Sequence, residues 1–169
     1  MLSFRDHVRT RRAGAADGSA LAEICRDSWR TAYIGMIPQA HLDRMMARRD
    51  DAWWLAAIER DDGLRVLDVS GQVTGYVTFG RSRARGPYKG EIYELYLKPS
   101  HQGLGLGEHL FESARAELDG MALKGLVVWA LIDNQPACHF YWRRGGRPVA
   151  SVWETFGLKR LEKVAFVWP

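Results

Sequence analysis

The residues with the clearest capacity for chemistry are three glycines that follow an apolar, strand-like segment. Residues 91–97 read EIYELYL, and after Pro99 the chain continues as Gln102-Gly103-Leu104-Gly105-Leu106-Gly107 into a helical segment over residues 108–119. The first N–H groups of a helix have no partner inside the helix, and the helix dipole is positive at that end. Glycines at this place therefore predict a loop whose backbone N–H groups surround an anion.

Three kinds of phosphate-binding motif place glycines between a strand and a helix. A mononucleotide P-loop requires G-x-x-x-x-G-K-[ST], and this sequence has neither that lysine nor that hydroxyl. A dinucleotide fingerprint requires a third glycine where this sequence has Glu108 or Leu110, although Asp133 could serve as its acidic partner. The third motif, Gln102-x-x-Gly105-x-Gly107, is matched at every position.

That third motif resembles the Q/R-x-x-G-x-G/A motif of the GNAT superfamily, the acyl-CoA-dependent N-acyltransferases. A second segment, Asn134-x-x-Ala137-x-x-Phe140-Tyr141 followed by Gly145, resembles the downstream helix motif of the same family. Gly146 departs from the pattern, because members often carry an aromatic residue after the glycine. The resemblance extends over nearly the whole chain. It implies a GNAT-like fold, acetyl-CoA as the cofactor and direct acetyl transfer to a primary amine within a ternary complex.

The resemblance also implies which residues contact the cofactor. Backbone amides of the loop and of the helix start hold the pyrophosphate of coenzyme A, and amides near Leu95 to Leu97 meet the thioester oxygen. Asn134 contacts the cofactor arm, and its side chain also suits a helix N-cap. The implied contacts are Leu95, Tyr96, Leu97, Gln102, Gly103, Leu104, Gly105, Leu106, Gly107, Glu108, Asn134, Ala137 and Phe140.

Acyl transfer to an amine requires a proton acceptor, because a lysine-type amine with a pKa of about 10.4 is protonated at neutral pH. The strand supplies Glu91 and Glu94, which point to opposite faces unless a bulge intervenes. By resemblance, Glu91 matches the base of some histone-modifying relatives, whereas Glu94 lies nearer the expected thioester. Either could instead be a surface carboxylate paired with an arginine. Tyr141 falls where relatives place an acid beside the sulfur, although its helical spacing also suits a core aromatic.

The acceptor is predicted only as a primary amine of a small molecule or a peptide. Trp29, Tyr33 and Met36 either form one wall of its pocket or pack in the core. Two rival functions remain open. One is a catalytically silent acyl-CoA-binding or regulatory domain, and the other is a basic nucleic-acid-binding protein that uses its arginines.

Hydrophobic periodicity predicts a mixed α/β fold of order βαα-βββ-αβαββ, in one domain over residues 1–169 with residues 1–7 as a loose extension. Asp17 is expected to cap a helix that ends near Arg30, residues 31–38 read as a loop, and residues 52–59 could be strand or helix. The other predicted strands are 8–12, 65–69, 72–80, 126–132, 147–153 and 161–168, and the other predicted helices are 38–48 and 134–145.

The composition is that of a globular protein, with 47% hydrophobic and 26% charged residues and a net charge of +4 that suits an anionic partner. Arginines cluster in residues 9–12, 81–85 and 143–147, where solvated faces are expected. No apolar run reaches the ~18 residues of a membrane span. Cys25 and Cys138 have no metal or disulfide spacing, so we expect reduced thiols, no metal and a cytoplasmic location. Neither a nucleic-acid nor a membrane partner is expected, and a homodimer is common in the family.

Overall fold

The computed structural model describes residues 7–61 and 63–169. Within these ranges seven strands and five helices follow one another, with short 3₁₀ turns before α1 and after β4. Their bounds are β1 Val8–Arg12, α1 Gly18–Tyr33, α2 Gln39–Ala47, α3 Asp51–Arg60, β2 Leu64–Val69, β3 Gln72–Arg81, β4 Gly90–Leu97, α4 Leu106–Gly120, β5 Leu126–Leu131, α5 Gln135–Arg143, β6 Arg147–Phe156 and β7 Lys159–Trp168.

The strands form one mixed sheet in the order β1-β2-β3-β4-β5-β7-β6. Among the strands of the described residues, only the β4–β5 pair is parallel, and it is joined through α4 as a parallel crossover requires. This pairing covers Gly90 to Ile92 on β4 and Leu126 to Val128 on β5, so the two strands separate beyond these residues. The sheet is therefore open at its centre, along the second half of β4.

Hydrophobic residues pack in two large clusters, one involving α4 and α5 and the other α1, α2 and α3. The first cluster includes Leu110 and Phe111 of α4 together with Val128 and Phe166 of the sheet. The second includes Leu21 and Ile24 of α1, Leu42 of α2 and Trp54 of α3. The predicted mixed α/β fold class is confirmed, because helices cover a mixed sheet through both clusters.

Several elements differ in detail from the sequence-based expectation. The first helix continues to Tyr33, so the predicted loop over residues 31–38 is wrong in its first part. Residues 52–59 are helical and belong to α3, whose start is capped by Asp50 through the backbone N–H of Trp53. The order therefore contains a third helix before β2. Tertiary packing decides this case, because Trp54 is fully buried against the sheet.

Asp17 precedes α1 as expected, but its side chain makes no capping hydrogen bond, so that part of the prediction is wrong. Its carboxylate instead accepts from the backbone N–H of Gly14 and from the Arg11 guanidinium. Within the predicted loose extension, residues 1–6 lie outside the described residues, and His7 accepts a hydrogen bond from the backbone of Ser70. In the described part of the chain, no helix has the length and apolarity to cross a membrane.

Candidate active site

A cleft of about 930 Å³ opens where β4 and β5 separate. Its walls come from α1, the second half of β4, the glycine-rich loop, the start of α4 and the whole length of α5. Among the residues predicted from sequence, those lining the cleft are Leu95, Tyr96, Leu97, Gln102, Gly103, Gly105, Gly107, Glu108, Asn134, Ala137, Phe140 and Tyr141. Leu104, Leu106, Glu91, Glu94, Trp29 and Tyr33 are not among the lining residues.

The glycine-rich loop presents unpaired backbone donors at the start of α4. Gly103 and Gly105 both have φ of +77°, a left-handed conformation that glycine adopts without a steric penalty. Among the described residues, the backbone N–H groups from Gly103 to Glu108 have no hydrogen-bond acceptor, and the first helical bond is His109 N–H to Gly105. The side chain of Leu106 is buried in the core, whereas that of Leu104 is exposed. Six successive N–H groups and a helix N-terminus therefore lie together, and they fit an anionic phosphate chain.

Gly107 allows α4 and α5 to approach closely beside this loop. A Cβ atom at Gly107 would lie 3.2 Å from the ring of Phe140, which is tighter than an ordinary contact. Arg144 of the same region pairs with Glu108 at 2.8 Å, and its guanidinium lies 5.4 Å from the Phe140 ring centroid. The close approach brings the motif residues of both helices into one wall of the cleft.

Helix α5 presents Tyr141 to the cleft. Asn134 caps the helix through the backbone N–H of Ala137 at 3.4 Å, which is one of the two roles expected of it. Tyr141 is buried against Phe111, Phe166 and other rings of the core. It also lines the cleft, so the residue packs in the core and faces the cleft at the same time. Desolvation raises the pKa of Tyr141, and the nearby Tyr33 raises it further. The phenol is therefore neutral and available as a hydrogen-bond donor at physiological pH.

The end of the helix explains the departure at Gly146. A Cβ there would lie 2.5 Å from the indole of Trp168, and the Trp168 Nε1–H donates to the carbonyl of Arg144 at 2.9 Å. The ring of Trp168, at the end of β7, thus takes the space beside the glycine. The departure changes packing at the helix end and leaves the cleft wall intact.

The backbone of β4 is open to the cleft. From Glu94 to Leu97 it pairs with β3 on one side, and on the other side β5 has already separated. Ser28 Oγ of α1 donates to the carbonyl of Leu97 at 3.2 Å. The amides near Leu95 to Leu97 thus lie along the edge of the cleft.

Glu91 is held firmly and away from the cleft. Its side chain is 2% exposed, and its two oxygens accept from the backbone N–H and from Nη2 of Arg83, both at 2.8 Å. The alternative from the sequence was a surface carboxylate paired with an arginine. Glu91 is indeed paired with an arginine, but its carboxylate is buried.

Glu94 is held more loosely and lines a small cavity next to the cleft. It accepts from Arg49 at 3.2 Å, and from the hydroxyls of Tyr76 and Thr78 at 3.4 Å each. The β3–β4 register shifts between Thr78, opposite Glu94, and Phe79, opposite Ile92, so Tyr93 is an extra residue. The sequence could not decide whether a bulge separates the two glutamates, and the register shift shows that one is present.

The two aromatics proposed for the acceptor wall lie mainly in the α1–α3 core cluster. Trp29 is 6% exposed, and the Arg49 guanidinium lies 5.3 Å from its ring centroid. The Tyr33 hydroxyl is 2.8 Å from the Tyr96 hydroxyl. Desolvation raises the pKa of both tyrosines, so this pair is neutral. Trp29 is thus a core residue. Tyr33 contacts the cleft wall indirectly, through its hydrogen bond with Tyr96.

Sequence reasoning missed several residues of the cleft. Ser28 and Thr31 reach it from α1, and His139, Arg143 and Arg144 reach it from α5. The arginines were visible as one of three basic clusters, but the sequence offered no reason to prefer that cluster. Ser28 carried no signal beyond its place on the buried face of α1.

Comparison with known proteins identifies the class of enzyme. The sequence profile of the acetyltransferase (GNAT) family matches residues 21–146. The N-acetyltransferase YuaI of Bacillus subtilis, itself uncharacterised, is 32% identical over 167 residues, which cover 96% of this chain and 93% of that protein. The chain belongs to the GNAT acetyltransferase family. The predicted resemblance and the predicted enzyme class, an acyl-CoA N-acyltransferase, are confirmed.

Two other similar proteins have named acceptors. Phosphinothricin N-acetyltransferase of Streptomyces viridochromogenes is 26% identical over 143 residues, covering 81% of this chain and 73% of that protein. The L-amino acid N-acyltransferase MnaT of Escherichia coli is 28% identical over 135 residues, covering 79% of this chain and 76% of that protein.

Solved structures share the fold. The PaiA N-acetyltransferase of Thermoplasma acidophilum in complex with coenzyme A has a TM-score of 0.74 at 18% identity, covering 92% of this chain and 97% of that one. The putative acetyltransferase YncA of Salmonella typhimurium with acetyl-CoA has a TM-score of 0.68 at 23% identity, covering 96% and 93%. The GNAT-like fold predicted from the motifs is thereby confirmed.

Proposed function

We propose that this enzyme transfers the acetyl group of acetyl-CoA to a primary amine of a small molecule or a peptide, directly and within a ternary complex. The observation that carries the proposal is the row of unpaired N–H groups from Gly103 to Glu108, which opens onto the cleft between the separated strands. Family membership and the solved complexes of PaiA and YncA with coenzyme A and acetyl-CoA support the same cofactor.

The glycine-rich loop would hold the pyrophosphate of the cofactor. Its N–H groups and the dipole of α4 supply a positive potential without a buried cation. Arg143 and Arg144 add positive charge on the facing wall, although Arg144 is paired with Glu108. Bound acetyl-CoA supplies an activated thioester, and the chain supplies orientation and electrostatics.

The backbone near Leu95 to Leu97 would position the thioester carbonyl. Amide N–H groups at the open edge of β4 are suitable donors for an oxygen that gains negative charge during transfer. They need no side chain. This role is consistent with a strand whose second half has lost its β5 neighbour.

Of the two glutamates, Glu94 is the better candidate to accept the proton of the amine. Both oxygens of Glu91 are engaged by Arg83 at 2.8 Å, and its side chain is 2% exposed. Glu94 lines a cavity, and its hydrogen bonds of 3.2–3.4 Å leave it freer to bind a water or an amine. We therefore assign proton acceptance to Glu94, directly or through one water molecule.

Tyr141 would stabilise the departing sulfur. Because desolvation raises its pKa above the ordinary tyrosine value, it is a weaker acid than a free thiol, whose pKa is about 8.5. Full proton transfer to the sulfur is therefore unfavourable, and a hydrogen bond to the developing thiolate is the role that fits the environment.

A covalent acyl-cysteine does not fit the described site. Burial raises the pKa of the Cys25 thiol to about 12, and burial also raises the pKa of Cys138. A thiol nucleophile requires the opposite shift. This favours direct transfer. Two free thiols also agree with the cytoplasmic location that we propose.

The experiment that tests the proposal measures thiol release from acetyl-CoA with a panel of primary amines, together with calorimetric binding of coenzyme A. Release with at least one amine, and micromolar coenzyme A binding, are the expected results. Tight coenzyme A binding without release would instead identify a silent acyl-CoA-binding domain. Absent coenzyme A binding, with salt-dependent binding to DNA, would identify the nucleic-acid alternative.

A further inference from the structure

A second cavity of about 190 Å³ lies on β4, next to the cleft. Helix α3 forms one side of it, and β3 and β4 form the other. We call it the arginine pocket, and its defining residues are Arg49, Trp53, Arg83, Tyr93 and Glu94. None of the motifs that identify the family includes Arg49, Trp53 or Arg83.

Two guanidinium groups in the arginine pocket lie against aromatic rings. The guanidinium carbon of Arg49 is 3.9 Å from the ring centroid of Trp53, and that of Arg83 is 4.4 Å from the ring centroid of Tyr93. Stacking of this kind restricts a side chain that would otherwise lose much rotamer entropy on binding. Arg49, whose side chain is 23% exposed, is therefore oriented before a ligand arrives, and Arg83, which is 69% exposed, is held at one end by Tyr93 and Glu91.

Each guanidinium also keeps unused donors. Arg49 donates through Nη1 to Glu94 at 3.2 Å, and Arg83 donates through Nη2 to Glu91 at 2.8 Å. Within residues 7–61 and 63–169, the side chains of these two arginines make no other hydrogen bond. The remaining N–H groups can bind a planar or tetrahedral oxyanion, and the guanidinium fork matches the geometry of a carboxylate.

The arginine pocket and the cleft meet at β4. Glu94 lines the pocket, and Tyr96, two residues further on and therefore on the same face of β4, lines the cleft. Beyond Ile92 no β5 neighbour closes this part of the strand. An acceptor whose acidic group lies in the pocket can therefore place its amine near Glu94, on the face of β4 that reaches the cleft at Tyr96.

We propose that the acceptor is a compact amine that also carries an acidic group, such as an α-amino acid, and that Arg83 and Arg49 bind this group. The inference rests on the proposed function, since it assigns the acceptor side of the same site. A volume of about 190 Å³ is that of about six water molecules at ~30 Å³ each, so it suits a small group and not a bulky one. Polyamines and aminoglycosides carry no acidic group and are poor partners for two arginines.

The test compares three amines that share the methionine side chain, of which one carries a carboxylate and two do not. Thiol release is measured with L-methionine, L-methioninamide and 3-(methylthio)propylamine, all offered with saturating acetyl-CoA. We expect kcat/KM for L-methionine to exceed that for either uncharged analogue by about tenfold or more, as for a charged hydrogen bond. Equal turnover of the three compounds would overturn the proposal.

The variant Arg83→Gln removes one guanidinium, and Arg85→Gln is its matched control. Arg85 lies in the same β3–β4 loop, is exposed and does not line the arginine pocket. Arg83→Gln is expected to raise KM for L-methionine about tenfold or more and to change KM for L-methioninamide much less, and because it also weakens the hold on buried Glu91, the melting temperature is recorded for both variants. Equal KM values in the two variants would contradict the inference.

Direct binding separates this inference from the proposed function. L-methionine is titrated calorimetrically into the protein saturated with coenzyme A, and the titration is repeated with both variants. Binding that Arg83→Gln weakens and Arg85→Gln does not supports the arginine pocket, even if no amine in the panel is acetylated. Absence of both binding and turnover with L-methionine counts against it, even if other amines are acetylated.

Discussion

At the scale of single residues, the site is defined by how firmly each side chain is held. Glu91 and Glu94 have the same chemistry and lie three residues apart, yet one is locked by Arg83 at 2.8 Å and the other is bound at 3.2–3.4 Å beside a cavity. A proton acceptor needs access to the amine, so access separates the two residues where side-chain type cannot.

We predict that Glu94→Gln lowers kcat much more than it changes affinity for coenzyme A. General-base contributions are typically ~10²–10⁴-fold, so a fall of about 100-fold is expected. Steady-state kinetics as a function of pH provide the measurement, because loss of a base also removes the corresponding limb of the profile. Glu91→Gln is the comparison, and its kinetic loss should be accompanied by a lower melting temperature. If Glu91→Gln lowered kcat more than Glu94→Gln does, with no change in melting temperature, Glu91 would be the proton acceptor instead.

Tyr141→Phe is predicted to lower kcat about tenfold, with the coenzyme A dissociation constant changed less than about threefold, since one hydrogen bond to a charged sulfur is lost. Tyr88→Phe, on a half-buried residue outside the cleft, serves as the control. Single-turnover rates and calorimetry give the two quantities. An unchanged rate at saturating substrate would remove Tyr141 from the chemical step.

At the scale of secondary-structure elements, the junction of the glycine-rich loop and α4 is the part that makes the cleft a cofactor site. Gly103 and Gly105 adopt left-handed conformations so that successive N–H groups point away from internal acceptors. Gly107 serves a different purpose, because its missing side chain lets Phe140 approach. One motif thus combines backbone geometry with helix packing.

We predict that Gly105→Glu abolishes coenzyme A binding while the protein remains folded. No atom lies within 4 Å of a Cβ at this position, but the new carboxylate would face the anion, and φ of +77° adds a strain of about 1–2 kcal/mol. Gly71→Glu, in the β2–β3 turn, has φ of +85° and similarly open surroundings, so it controls for strain. Calorimetric coenzyme A binding and thermal unfolding are compared. Undiminished affinity in Gly105→Glu would refute the assignment of the loop.

The first strand, which pairs with β2 along its length, also carries one arginine that lies between two carboxylates. Arg11 bonds Asp17 at 2.7 and 3.1 Å and Asp68 at 3.0 Å, and the Asp68 side chain is only 4% exposed. The hydrogen bonds from Arg11 hold the pKa of Asp17 below its usual value, against the opposing effect of desolvation. Stability from this pair is thus present above the ordinary pKa of about 3.9 and is lost as pH falls through the depressed value.

Arg11→Met is predicted to reduce the free energy of unfolding by about 3 kcal/mol at neutral pH, because Asp17 loses its guanidinium partner and the buried Asp68 keeps only the longer pair with Arg9 at 3.4 Å. Arg12→Met is the control, since that side chain is 74% exposed and its pair with Asp61 is expected to contribute about 0–1 kcal/mol. Urea unfolding gives both values. The Arg11 effect should shrink below about pH 3, and a loss that grows in acid would contradict the assigned role.

At the scale of the whole molecule, the sheet has an open centre and one highly exposed edge. The edge strand β6 has nine consecutive exposed residues, including Val149, Val152 and Trp153. An unpaired strand edge can add a strand from another chain, and a twofold axis would pair two identical edges. We propose a homodimer that uses β6, in keeping with the expectation from the family.

Light scattering on the purified protein tests this assembly. We predict a dimer for the native sequence and a monomer for Trp153→Glu, which places a charge on the exposed apolar part of the strand. Leu158→Glu changes a fully exposed residue in the β6–β7 turn and should leave the dimer intact. A monomeric native protein, or identical behaviour of both variants, would exclude pairing through this edge.

The sequence by itself determined the cofactor loop and most of the fold. Gln102, Gly105 and Gly107 lie one after another in the chain, so their spacing could be read directly, and β1, β3 and α4 follow from local hydrophobic periodicity. Residues 52–59 were ambiguous because a short apolar run suits a strand or a helix, and burial of Trp54 against the sheet decided it.

Only the tertiary structure decided the acceptor side of the site. The bulge at Tyr93 depends on the register between β3 and β4, and no local pattern encodes that register. The arginine pocket joins Arg49 to Trp53, Arg83 and Tyr93, which are up to 44 residues apart and meet only when α3 packs on the sheet. The cofactor loop can be predicted from the sequence because its backbone donors come from one short segment. The acceptor side cannot, because its side chains come from separate elements.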